Sequence, residues 1–171
     1  MIKQVFFLTF ILVSVSSYSQ INFESKSKVY SFTIPNEYES QSSNHARNEF
    51  VFLNKGDTTS LVVNVNERPF DRNGYQSFKN ATNTDVEKNY FTALKNPQII
   101  TRGDLNTYKD KTIFFHVRHT TASSLENDFM LTYLFYNKGK EINFIFRTKE
   151  RRLEKVLPVI DKIVESVVLL Q

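Results

Sequence analysis

The chain has 171 residues, a formal net charge of +4, four glycines, four prolines and no cysteine. That length suits one domain able to bury roughly 70% of its unfolded surface without a covalent staple. The missing cysteine excludes disulfides, thiolate nucleophiles, cysteine-ligated zinc and a lipid-modified N-terminal cysteine, and a small positive charge spread along the chain does not suit nucleic-acid binding.

The first nineteen residues read as a secretory signal peptide. Lys3 precedes an apolar run over residues 5–15, and the small polar residues Ser17-Tyr18-Ser19 lead into Gln20. A membrane-spanning helix requires about 20 apolar residues, and this run reaches only about half that. Cleavage is expected after Ser19, leaving 152 of the 171 residues and, with Lys3 gone, a formal charge of +3. The small-x-small pattern followed by glutamine resembles the signal peptides of Bacteroidetes envelope proteins.

Residues 29–34, "VYSFTI", alternate with Tyr30, Phe32 and Ile34 on one side, and Pro35 ends the strand by removing a ladder donor. "NEFVFLNKGDTTSLVVNVNE" reads as a hairpin around Asn54-Lys55-Gly56-Asp57, with Gly56 supplying the positive φ of the turn and Leu61, Val63 and Val65 facing inward. Residues 68–82, "RPFDRNGYQSFKNAT", form the longest irregular stretch. Thr84-Asp85-Val86-Glu87 matches a capping box, so a helix is expected over residues 85–95, with Val86, Tyr90, Ala93 and Leu94 as its apolar face and Pro97 closing it.

Four strand-like runs follow, near residues 98–108, 111–121, 128–136 and 140–148, joined by short turns into an antiparallel meander. The chain closes on "KERRLEKVLPVIDKIVESVVLL", where Leu153, Val156, Leu157, Ile160, Ile163, Val164 and Val167 recur at helical spacing. Pro158 lies inside that pattern and predicts either a kink or a helix beginning just before it. The fold class is therefore α+β: one antiparallel sheet of about six to seven strands covered by a mid-chain helix and a C-terminal helix. No internal repeat points to a solenoid or propeller.

"FTIPNEY" near the start, the hairpin, one mid-chain helix, a long meander and the closing "PVIDKIVESVVLL" resemble the PsbP-like (Mog-type) superfamily. The resemblance implies a single PsbP-like domain over residues 20–171. It also implies binding or assembly roles, since members serve photosystem II or partner Ran, and no shared catalytic residues.

Two of the three histidines stand in "TIFFHVRHTT" as His116 and His119. A strand sends them to opposite faces, with Ile113, Phe115, Val117 and His119 on one and Phe114, His116 and Arg118 on the other. They therefore do not form a metal site, which on a helix would need ligands four residues apart. His116 and Arg118 together could form a small anion-binding patch. No G-x-S-x-G or S-x-x-K motif supplies an activated nucleophile.

Glu67, Asp71, Asp85 and Glu87 lie in or beside polar turns, where carboxylates face water. Arg68, Phe70, Asp71, Arg72 and Tyr75 share a long loop of the kind that carries recognition on a rigid sheet. "RTKERR" at residues 147–152 is the densest basic run, interrupted by Glu150. "FMLTYLFY" is apolar on both strand faces, as in a sheet covered on both sides. "DTT" at residues 57–59 resembles the short O-glycosylation acceptor of Bacteroidetes envelope proteins.

These features favour a non-catalytic binding or assembly module, periplasmic or secreted, acting on an envelope protein or a small apolar ligand. The expected binding residues are Arg68, Phe70, Asp71, Tyr75, His116 and Arg118. No cofactor, no metal, no nucleic-acid partner and no transmembrane span after signal cleavage are expected. The competing class is a hydrolase whose site assembles in space around His116.

Overall fold

Residues alternating in polarity become strands, and the run apolar on both sides becomes an interior strand of the larger sheet. The computed structural model describes residues 19–66, 78–108, 111–121 and 126–171. The signal-peptide expectation over residues 1–18 and the Arg68, Phe70, Asp71 and Tyr75 loop lie outside them.

The strands are β1 (Gln20–Glu24), β2 (Tyr30–Pro35), β3 (Tyr38–Ser40), β4 (Asn48–Asn54), β5 (Ser60–Asn66), β6 (Lys95–Gly103), β7 (Thr112–Thr120), β8 (Asp128–Asn137), β9 (Lys140–Lys149) and β10 (Val168–Leu169). Helix α1 spans Asn83–Asn89 and helix α2 spans Leu153–Glu165. Seven strands form an antiparallel sheet in the order β3-β4-β5-β9-β8-β7-β6, and three more form a small sheet, β1-β2-β10. The α+β class, the seven-stranded sheet and the two helices agree with the sequence reading. The strand at residues 30–35 differs from it by pairing in the small sheet, because its partners are β1, which is mostly exposed and shows no alternation, and the two-residue β10.

Strand β8 is buried along eight consecutive residues, Phe129 to Tyr136. On one side Phe129, Leu131, Tyr133 and Phe135 join Phe32, Phe144 and Phe146 under the small sheet and the apolar face of α2. On the other, Met130, Leu134 and Tyr136 join Ile113, Phe115 and Val117 beneath Val86 and Phe91. Each fully buried phenylalanine contributes about 1.5–3 kcal/mol by leaving water. Asn137 locks the layers together, its Nδ2 donating to the carbonyls of Val29 (2.7 Å) and Leu170 (2.9 Å).

Four local expectations shift. The helix cap is Thr82, whose Oγ1 accepts from the Asp85 N–H at 3.2 Å while Asp85 reaches back to the Thr82 N–H at 3.3 Å. A threonine two residues earlier, with an aspartate in the glutamate's place, makes the box. Helix α1 ends at Asn89, and Pro97 lies within β6. In the β4–β5 turn the positive φ falls on Thr58 (59°), not Gly56, because Asn54 Oδ1 already ties down the N–H groups of Gly56 (2.8 Å) and Asp57 (3.3 Å). Helix α2 begins at Leu153 and carries Pro158 in its interior. The carbonyl that proline deprives of a donor belongs to Glu154, a water-facing residue.

Candidate functional site

Strand β7 sends His119 into the face under α1, where it is 8% exposed, and His116 toward β8 and α2. The two rings diverge as a pleated strand requires. His116 Nε2 stands 3.0 Å from the Tyr133 hydroxyl, and the Asp161 carboxylate on α2 lies near enough to act on that phenol by its charge. Burial holds the His116 imidazole down at about 4. The Tyr133 phenol is pushed up by burial and then by the Asp161 carboxylate, and Asp161 itself is raised, first by partial desolvation and then by Glu165. An imidazole that stays neutral at pH 7 is a weak base, and a phenol with a raised pKa is a poor nucleophile. The hydrogen bond ties β7 to β8.

Arg118 shares the His116 face, but its guanidinium is engaged, donating to Gln98 Oε1 at 2.7 Å and pairing with Glu150 at 3.6 Å. The basic run is divided in a similar way: Lys149 pairs with Asp128, Arg151 with Glu126, and Arg152 donates to the Asp57 carbonyl and Thr58 Oγ1. Asp85 serves the helix cap, and Glu87 Oε1 accepts from the Ile99 N–H at 2.6 Å. In the DTT stretch Thr58 is exposed and Thr59 buried. Among the described residues no group of three His, Cys, Asp or Glu side chains is placed to hold a metal, and no helix is long and apolar enough to cross a membrane.

A concavity among the described residues lies elsewhere. A cleft of about 430 Å³ opens between α2 and the turns that follow β2 and β4, within the roughly 300–1,000 Å³ of small-molecule sites. Pro35, Pro158, Val159 and Ile163 supply its apolar lining. Pro158 contributes a rigid ring, and Arg152 fastens the β4–β5 turn to the start of α2, so opposite walls are held in place.

Tyr38 also lines the cleft. It is 3% exposed, and its buried hydroxyl has no hydrogen-bond partner. Burial first, then the Asp57 carboxylate and, to a lesser extent, Glu37 push this phenol up. The neighbouring Asn54 side chain opposes that shift without reaching hydrogen-bond geometry. A buried hydroxyl without a partner costs about 1–3 kcal/mol, so a partner supplied from the cleft would offset that cost.

Sequence reasoning did not reach this cleft. Its walls come from around residues 33–38, 54–57 and 155–163, three segments with no shared motif. The available signals were Pro158 inside a helical pattern and the tyrosine closing "FTIPNEY", each of which also has a purely structural meaning.

No protein-family model matches the sequence, and no curated protein is a significant sequence match. Solved structures do match. Cyanobacterial PsbP (CyanoP) from Synechocystis sp. PCC 6803 superposes with a TM-score of 0.67 at 20% identity, over 91% of this chain and 95% of that one. The Ran-binding protein Mog1p of Saccharomyces cerevisiae gives 0.63 at 8% identity, over 90% and 96%. LpqN, involved in cell envelope biogenesis of Mycobacterium tuberculosis, gives 0.54 at 7% identity, over 90% and 91%. At these identities the likeness speaks for architecture, and on that ground the chain has the PsbP-like, Mog-type fold.

Proposed function

We propose that this chain is a non-catalytic binding or assembly module of the cell envelope, exported by residues 1–19 and acting through residues 20–171 on an envelope protein or a small ligand with an apolar body. The observation that carries the reading is the 430 Å³ cleft, apolar in its lining and bordered by the unpartnered Tyr38 hydroxyl. The fold neighbours agree in kind: Mog1p is a Ran-binding protein, and LpqN takes part in cell envelope biogenesis. Arg68, Phe70, Asp71 and Tyr75 stand as a separate proposed recognition loop, and His116 with Arg118 as the weaker anion patch.

The test is native mass spectrometry of the chain purified gently from its source envelope. A bound mass of small-molecule size or a defined protein partner is the expected result. A bare monomer, with unchanged behaviour after deletion of residues 71–74, would overturn the reading.

A hydrolase centred on His116 is the second reading, favoured by one observation: the imidazole and the Tyr133 hydroxyl are 3.0 Å apart, and the Asp161 carboxylate acts on that phenol. Ester hydrolysis lost in both His116→Gln and Tyr133→Phe would support it over the binding module.

A further inference from the structure

The cleft is charged in a pattern that selects among ligands. Lys155 and Lys162, two turns apart on α2, present ammonium groups from one wall, while Glu37 and Asp57 present carboxylates from the other. Among the described residues none of these four side chains has an ion-pair partner, although other surface charges pair, as in Lys55–Glu39 and Lys149–Asp128. Opposite charges thus border one apolar cleft without neutralising each other. The carboxylate wall also holds the buried Tyr38 hydroxyl, on which both Asp57 and Glu37 act.

From this we infer that the cleft binds a small zwitterion with an apolar body, a short apolar peptide of dipeptide size with free ends. Its ammonium lies at Glu37, Asp57 and Tyr38, its carboxylate at Lys155 and Lys162, and its side chains against Pro35, Pro158, Val159 and Ile163. The ammonium is a donor-only group that the Tyr38 oxygen can accept from, and each end of the ligand meets a charge of opposite sign. Uncharged lipids would leave both ion sets idle, and simple fatty acids would leave the carboxylate wall opposed by nothing. The inference rests on the reading of the cleft as a binding site.

Isothermal titration with Leu-Leu, N-acetyl-Leu-Leu, Leu-Leu-amide and 1-octanol tests it. Leu-Leu binds one to one, and blocking either end weakens it about ten-fold or more, the scale of one charge-assisted hydrogen bond. Tyr38→Phe weakens Leu-Leu roughly five-fold without lowering the thermal midpoint. In Lys155→Gln/Lys162→Gln the preference for Leu-Leu over its amide disappears.

Equal binding of free and blocked forms, or of octanol and Leu-Leu, overturns the zwitterion while the binding site stands. No heat with any of the four, together with a bare monomer by native mass spectrometry, overturns both. A different ligand in that spectrum overturns the zwitterion alone.

Discussion

The Nε2 atom of His116 and the hydroxyl oxygen of Tyr133 meet at 3.0 Å across strands β7 and β8, and the Asp161 carboxylate of α2 acts on the same phenol. The negative Asp161 carboxylate favours the orientation that turns the phenol proton toward it and leaves the Tyr133 oxygen to accept from His116 Nε2–H. The neutral Nε2–H tautomer is therefore expected at pH 7, and ¹⁵N chemical shifts of the His116 ring check it. A protonated Nδ1 at that pH contradicts the arrangement.

The same burial sets a pH dependence. His116 titrates at about 4 in the folded chain against 6.5 in the unfolded one. Because the folded pKa is depressed, the unfolded chain takes up the proton first as pH falls, and stability drops between about pH 6.5 and 4. Discounted for the solvent that still reaches the ring, the loss is about 2 kcal/mol. Asp161 has the opposite sign, since its raised pKa lets the folded chain bind a proton more readily in acid. Urea unfolding from pH 7 to pH 4 should show the loss in the wild type and a flatter profile in His116→Phe.

Removing the middle of the chain isolates its contribution. Tyr133→Phe keeps the ring in its aromatic contacts with Phe114 and Phe146 but leaves His116 without its partner. A loss of about 1–2 kcal/mol is expected by chemical denaturation, with the circular dichroism spectrum unchanged.

The helix cap distinguishes two neighbouring threonines. Thr82→Ala should cost about 1 kcal/mol, since it deprives the Asp85 N–H of its acceptor. Thr84→Ala, at an exposed position inside the first turn, should change the thermal midpoint little. The reverse order would return the cap to the position the sequence favoured.

The β4–β5 turn offers a similar pair. Thr58 holds a φ of 59°, a conformation unfavourable for a β-branched side chain by about 1–3 kcal/mol. Thr58→Asn, which tolerates that region and keeps an oxygen acceptor for Arg152, should stabilise the protein by about 1 kcal/mol. Gly56→Ala meets only the Asn54 side chain, at 3.3 Å, and should cost less than about 1 kcal/mol. Differential scanning calorimetry of both variants decides the matter.

What was legible in the sequence was what repeats. The two-residue alternation of β7 and the unbroken apolar run of β8 located the sheet and its two cores, and the 3-4 spacing from Leu153 onward located α2. Strands too short to repeat were not legible: β3 is three residues and β10 two. Choice between equivalent local signals also failed, as with Thr82 and Thr84 or Gly56 and Thr58, because backbone geometry elsewhere decides them. His116 was singled out, yet its partners Tyr133 and Asp161 were indistinguishable from other aromatics of β8 and other acids of α2. Tyr38 drew attention only as part of a fold motif, since an unpartnered hydroxyl is a property of three-dimensional surroundings.

The contact between Thr33 and Ser166 joins residues 133 positions apart, the Thr33 N–H donating to Ser166 Oγ at 2.9 Å. Contacts of such long range form late, because the loop they close must first lose its freedom. One wall of the cleft belongs to β2 and its turn and the other to α2, so the cleft arises only when the two extremes of the domain dock. A ligand of the proposed site therefore binds the folded chain alone and stabilises it in proportion to its occupancy.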